Sequence, residues 1–250
     1  MIPALSKVNN EGFSAVRKKV SSWTPAGNGT AITADGALGL VITGTATAAN
    51  VAVTNMHTAM RRIDYLVTAP ATNAVAGFRI GVGNQFWRGN AAGLGGFNYL
   101  CQWGPAEGVA TSTTRAFVGM SALTTPPTDV EPSSLITMIG MGWDATDTNI
   151  QLMHNDGTGT ATKIDLGANF PVPTADRTKA YELQLYCEPN GSSIAWKVTD
   201  LGTNDVASGS VSTDIPASTG LLSPRGWMSV GGTSSVIGIS LMNMWIETEK

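Results

Sequence analysis

The stretch that most limits what this chain can fold into is 135–167, LITMIGMGWDATDTNIQLMHNDGTGTATKIDLG. Two apolar runs of strand length, 135–143 and 150–154, flank the polar corner Asp144-Ala145-Thr146-Asp147-Thr148-Asn149. A second corner, Asn155-Asp156-Gly157-Thr158-Gly159, leads into a third run at 160–166. Asn and Asp side chains hydrogen-bond the backbone of tight reversals, and Gly supplies the positive-φ positions they need. Three short strands joined by two such corners predict an antiparallel meander at the centre of an all-β domain.

The rest of the chain repeats this grammar. Strands are predicted at 30–33, 38–43, 51–54 and 61–68, the last ended by Pro70, and at 78–83, where Phe78, Ile80 and Val82 alternate with Arg79, Gly81 and Gly83. Further strands are expected at 97–103, 115–121, 180–187, 193–199, 206–213, 221–230 and 236–248. About a dozen strands spaced roughly ten residues apart, with no long helix after residue 60, predict a jelly-roll-like antiparallel β-sandwich. No fixed-period repeat is present, which disfavours a β-helix. The segment 84–96, NQFWRGNAAGLGG, reads as a long flexible loop or a wide hairpin tip.

Residues 1–29 stand apart from the predicted β domain at 30–250. Phe13, Val16, Val20 and Trp23 fall three and four apart, on one helical stripe beside Arg17, Lys18 and Lys19, with Asn10 placed to cap. The segment, helical or extended, either packs on its own domain or attaches the chain to a partner subunit through that stripe.

Charge and chemistry narrow the function classes. Charged residues are 13% of 250 and the net charge is −3, with no basic run beyond Arg17-Lys18-Lys19, so a nucleic-acid footprint is not expected. The start has no signal-peptide pattern and no window is apolar over roughly 18 residues, so synthesis in a cytoplasm without membrane insertion is expected. Cys101 and Cys187 read as buried free thiols, a disulfide between them staying open. Two histidines, His57 and His154, cannot build a His-rich metal site; His154 reads as a structural or surface residue. Asp144, Asp147 and Asn149 offer oxygens for Ca²⁺, but their spacing is not an EF-hand loop and Asx-turn capping explains them as well. No nucleotide loop or nucleophile elbow appears. Carboxylates Asp64, Glu107, Glu182 and Glu188 exist for a glycosidase pair, without a sign in the sequence that any two converge. No catalytic residue, metal or cofactor is assigned.

The aromatics suggest binding instead. Phe86, Trp87, Tyr99, Trp103 and Trp143 sit in or beside turns, and Arg88 and Asn90 flank the first two. Flat rings beside amides and a guanidinium suit sugar recognition by stacking and directed hydrogen bonds. The alternative for each ring is the sandwich core. Trp87 is the best placed, whereas Trp196, Trp227 and Trp245 read as core.

Several ordered segments carry a family likeness: TRAFVGM at 114–120, MIGMGWDATDTNIQLMHNDGTGTATKIDLG at 138–167, AYELQLYCEPNGSSIAWKV at 180–198 and LLSPRGWMSVGG at 221–232, followed by MWIETE at 244–249. Over about 77–250 the chain resembles the C-terminal β domain of bacteriophage tail-fibre and structural proteins. The resemblance implies a virion component, usually a homotrimer, whose distal β domain touches the host surface. Only 76 residues precede that region and none forms a repetitive shaft, so a compact tip or short spike fits better than a full fibre. The expected function is non-enzymatic binding of host surface polysaccharide, with other virion proteins held through the N-terminal segment. A capsid decoration or head-fibre protein without receptor binding, and a glycan-cleaving tail enzyme, are the alternatives.

Overall fold

The computed structural model describes residues 18–25, 34–35, 38–80 and 86–249. Its strands are β1 Lys18–Pro25, β2 Ala34–Asp35, β3 Leu40–Thr43, β4 Thr45–Ala49, β5 Arg62–Ala71, β6 Val75–Ile80, β7 Phe97–Glu107 and β8 Arg115–Ser121. They continue as β9 Met138–Trp143, β10 Gln151–Asn155, β11 Thr162–Asp165, β12 Tyr181–Cys187, β13 Ile194–Asp200, β14 Val206–Val211, β15 Ser223–Ser229 and β16 Ser235–Glu249. One helical turn, α1 (Met56–Ala59), and one 3-10 turn, Pro132–Ser134, are the helical segments among the described residues.

Two antiparallel sheets face each other. The larger runs β14-β13-β12-β7-β16-β1-β2, with β5 also beside β16 and β4 beside β5; the smaller runs β11-β10-β9-β8-β15-β6-β3. The expected meander is present as β9, β10 and β11 in register. Strand β16 lines β7 along one edge, and divides its other edge between β5 and β1. The register with β7 shifts between Leu241 and Asn243, a bulge that lets one strand serve two partners.

Alternation sends Tyr181, Leu183, Leu185 and Cys187 of β12 inward and Glu182, Gln184 and Tyr186 outward. The centre of the sandwich is Trp103 of β7 stacked on Trp143 of β9, ring centroids 6.1 Å apart, with Tyr181 beside Trp103. Strands β9 and β10 are buried on both faces, because the chain at 122–137 folds over the outer side of the smaller sheet. There Phe117, Leu135, Met138, Met153, Ala161 and Trp227 form a second, smaller core. Both cysteines are buried and free, and burial pushes the Cys101 thiol up to about 12.

Three expectations need correction. The helical stripe fails where it is described: Lys18–Pro25 is a strand paired with β16, and its alternation buries Trp23 while leaving Val20 exposed. The helix lost because β16 offers a full row of backbone partners, whereas so short a helix must be held by packing; Phe13 and Val16 lie outside the described residues. The strand expected at 51–54 is irregular chain entering α1, whose Asn55 cap accepts from the Thr58 N–H at 3.0 Å. Strand β5 runs through Pro70 to Ala71, where its pairing with β16 is already irregular and a missing N–H costs little. The strand expected at 30–33 lies outside the described residues.

Candidate functional site

The loop 86–96 is closed on itself. Phe86 bridges to Leu222 by paired backbone hydrogen bonds of 2.7 and 2.6 Å, and Gly96 donates to the Arg88 carbonyl at 3.0 Å. Asn190, in the turn after β12, donates its N–H to the carbonyls of Arg88 and Leu94. Arg88 itself is buried and reaches outward from the loop, Nη1 donating to the Pro216 carbonyl at 2.7 Å and Nη2 to the Gly191 carbonyl at 2.5 Å. Gly89, at φ +97°, shows why glycine is needed: a Cβ there would overlap the Leu94 carbonyl. Of the two expectations for 84–96, a flexible loop or a wide hairpin tip, close backbone packing over the described residues 86–96 speaks against the first.

This construction decides which side chains a ligand can touch. Trp87 is half-buried, Asn90 is exposed, and Leu94, Glu188, Asn190 and Leu221 are exposed on the same end of the sandwich. Of the seven residues proposed for sugar contact, Trp87 and Asn90 reach the surface. Phe86 is 1% exposed and holds the loop to Leu222, and Arg88 staples it from below. Tyr99, Trp103 and Trp143 have no exposure at all. Their inward parity on β7 and β9 makes them core, and a ring without a free face cannot stack on a sugar.

A Ser, His and Asp do converge, on the outer face of the larger sheet. His57 Nε2 lies 3.1 Å from Ser240 Oγ, and Ser240 Oγ donates to Asp64 Oδ1 at 2.6 Å. His57 Nδ1 donates to the Lys179 carbonyl at 2.8 Å. Gly104, beneath, leaves the room that the imidazole fills, since a Cβ would come 2.5 Å from Nδ1. A neutral imidazole has a single N–H, which the Lys179 carbonyl takes, and the serine proton goes to the carboxylate. The carboxylate thus holds the serine rather than the imidazole, the reverse of the order that activates a nucleophile. All three side chains are also sealed by α1 and the chain before β12. Sequence reasoning missed this cluster; its one signal was Ser240, a polar residue inside the apolar run of β16.

Desolvation lowers the His57 imidazole to about 4, with Arg62 and Arg177 adding to the effect against the Lys179 carbonyl and Asp64. The unfolded value is near 6.5, so between the two the unfolded chain binds the extra proton. The contribution to stability is complete above about pH 6.5 and is lost as pH falls toward the folded value. Urea unfolding at about pH 7.5 and about pH 4.5 is expected to differ by about 2 kcal/mol on this account. His57→Gln, which keeps a donor and an acceptor but does not titrate, should lose less than half as much; an equal loss would remove His57 as the cause.

The polar corner after β9 is occupied by its own contacts. Asp147 accepts the Asp144 N–H at 2.8 Å, Asp144 accepts the Ser133 N–H at 3.0 Å, and Asn149 donates to Asp165. The ammonium of Lys163 sits 3.1 Å from Asp144 and 2.5 Å from Asp147, where a cation would stand. Among the described residues no group of three or more His, Cys, Asp and Glu could hold a metal ion. His154 is buried and donates to the Asp214 carbonyl at 2.8 Å, a structural role. Of the four carboxylates considered for hydrolysis, Asp64 and Glu107 meet only through Arg177, at 3.4 and 2.8 Å. Glu182 is engaged with Gln102 and Gln184, and Glu188 is exposed on the loop end. No helix among the described residues is long and apolar enough to cross a membrane.

No family model and no curated protein matches the sequence. Solved structures do match in shape. Peanut lectin with a bound nonapeptide superposes with a TM-score of 0.56 at 9% identity, over 92% of this chain and 97% of that one. Lectin UEA-II complexed with galactose gives 0.53 at 9% identity, over 93% and 98%. A protein of unknown function from Shewanella oneidensis MR-1 gives 0.53 at 11% identity, over 100% and 95%. At these identities the likeness is one of fold: the chain is a lectin-like antiparallel β-sandwich.

Proposed function

We propose that this protein binds carbohydrate without cleaving it, through the rigid loop that presents Trp87. The observation that carries the reading is the contrast within that loop. Its backbone is stapled by Arg88, Gly89 and Asn190, while Trp87 is only half-buried and lies three residues from exposed Asn90 in the same loop. A preorganised aromatic face loses little entropy on binding, and neighbouring amides supply directed hydrogen bonds. The galactose carried by lectin UEA-II is in keeping with a sandwich of this shape serving as a sugar-binding scaffold.

The finer reading is a virion component of a bacteriophage, a compact fibre or spike tip that meets host surface polysaccharide. It is supported by the resemblance of residues 77–250 to phage tail-fibre domains. A homotrimer presenting several weak sites would convert modest single-site affinity into firm attachment, since linked sites raise effective concentration.

Glycan-array or whole-cell binding tests the proposal directly. Trp87→Ala is expected to weaken binding about five- to thirtyfold, as loss of a stacking ring costs about 1–2 kcal/mol, and to leave the melting temperature nearly unchanged. Unchanged affinity would remove Trp87 from the site; absence of any glycan bound by the native protein would remove the function. Release of new reducing ends from host polysaccharide would favour the enzyme instead.

A further inference from the structure

The outer face of the smaller sheet carries a row of hydrogen-bond donors that the chain leaves unanswered. Along β15, Ser223, Arg225, Trp227 and Ser229 alternate onto that face and all are buried. Ser223 Oγ, Arg225 Nε, Trp227 Nε1 and Ser229 Oγ have no hydrogen-bond partner among the described residues. The same holds for Nε of Arg79, which stands directly opposite Arg225 on β6.

Two guanidinium groups in direct cross-strand register repel each other. Arg225 is 2% exposed and donates Nη1 to the Leu123 carbonyl at 3.0 Å and Nη2 to the Thr125 carbonyl at 3.4 Å. About three of the five N–H donors of its fork are left over. No carboxylate pairs with Arg79 or Arg225 among the described residues. The acids of the covering loop are spent elsewhere, Asp129 and Glu131 both lying 2.8 Å from Arg115. Burial, with the charge of Arg79 behind it, brings the Arg225 guanidinium down to about 10. A buried cation without an anion is costly, and two together more so.

The chemistry of the set is one-sided. Guanidinium and indole N–H groups only donate and a hydroxyl can do either, while the hydroxyl opposite Ser223, that of Ser121, already takes the Leu123 N–H at 3.2 Å. Such a set repels a cation, and two guanidinium groups without a carboxylate match an oxygen-bearing anion, which takes several donors and offsets their charge, better than a neutral hydroxyl. We propose that Arg79, Arg225 and Ser223 form an oxyanion site, for a carboxylate, sulfate or phosphate group, between β6, β15 and the covering loop. Solvent reaches it past Arg79, which is half-buried, and past exposed Thr125 and Pro126. The site shares no residue with the Trp87 loop, so the two stand or fall separately.

The oxyanion arrives either as a free inorganic ion or as the acidic group of a saccharide. Thermal unfolding of the full chain at constant ionic strength separates these, with low-millimolar sulfate, phosphate or glucuronate replacing part of the chloride. At about ten times the dissociation constant, the bound anion is expected to raise the melting temperature by about 3 °C. Arg79→Gln, at a half-buried position, should fold normally, melt no lower without the anion, and lose the anion-specific rise. Isothermal titration should give the same order of anions and no heat with the variant. A rise with sulfate or phosphate alone assigns the site to a small ion; a rise with glucuronate as well assigns it to a sugar-borne acid. No rise over chloride, or an equal rise in the native protein and Arg79→Gln, overturns the site and leaves ordered water as the partner of these donors.

Discussion

Asp64→Leu is expected to destabilise the protein by about 3–5 kcal/mol, the usual cost of deleting one partner of a buried ion pair. Asp64 is 2% exposed, accepts hydrogen bonds from Ser240 and Arg177, and is ion-paired with Arg62. Arg62 Nε stands 3.4 Å from one carboxylate oxygen, Arg177 Nε 3.4 Å from the other, and Ser240 Oγ donates at 2.6 Å. Removing the carboxylate strands the 6%-exposed Arg62 beside Arg177 with only backbone carbonyls for company. It also takes away the acceptor that fixes the Ser240 proton. The effect should spread, because β5 and β16 are joined through this cluster and α1 is held over it by His57. Urea unfolding followed by tryptophan fluorescence measures the loss. Asp64→Leu combined with Arg62→Met should recover part of it, since the second change removes the charge that the first orphaned. A loss below about 1 kcal/mol in the single variant would mean that water or Glu107 takes over the carboxylate's place.

Much of the fold was legible because its strands obey period two. The meander was readable from its Asx and Gly corners, and β8, β12, β13 and β15 lie within two residues or so of their expected bounds. What parity cannot reveal is which faces are covered. Trp227 points outward on β15, yet it is buried under the loop at 122–137, in the smaller core. Nor does parity survive a bulge. Ile237, Ile239 and Leu241 face inward on β16, Met242 takes up the extra residue, and Met244 and Ile246 continue inward. Trp245 is thereby turned outward and is half-exposed, against the expectation that it belongs to the core.

The site was legible only in part for a related reason. Glycines around Trp87 marked a special backbone, and the residue is only half-buried. The same sequence pattern is equally consistent with mobility, because local composition does not contain Asn190, Pro216 and Leu222, the distant partners that close the loop. The buried Ser240–His57–Asp64 cluster draws on segments separated by up to 183 residues, so no motif could announce it. Likewise Arg79 and Arg225 become neighbours only through the pairing of β6 with β15.

Trp103→Ala should cost about 4 kcal/mol, as expected for truncating a large aromatic in a closed core, and lower the melting temperature by about 10 °C. Trp103 belongs to the larger sheet and Trp143 to the smaller, so their stack at 6.1 Å and 21° is a contact between layers rather than within one. Each indole N–H is also answered: Trp103 Nε1 lies 3.4 Å from the Met141 sulfur, and Trp143 Nε1 donates to the Thr114 carbonyl at 3.1 Å. Truncating Trp103 therefore opens a cavity, removes a ring pair and loosens Tyr181 in one step. Combining it with Trp143→Ala should cost less than the sum of the two single changes by about 0.5–1.5 kcal/mol, the coupling of an aromatic pair. The comparison with Trp87→Ala is the sharper result. If tryptophans of this chain divide into core and surface as their exposure indicates, Trp103→Ala loses stability and keeps glycan affinity in the fraction that remains folded. Trp87→Ala does the opposite. A Trp103 variant that melts like the native protein but no longer binds sugar would reverse that division, and would require the two sheets to part and expose the stack.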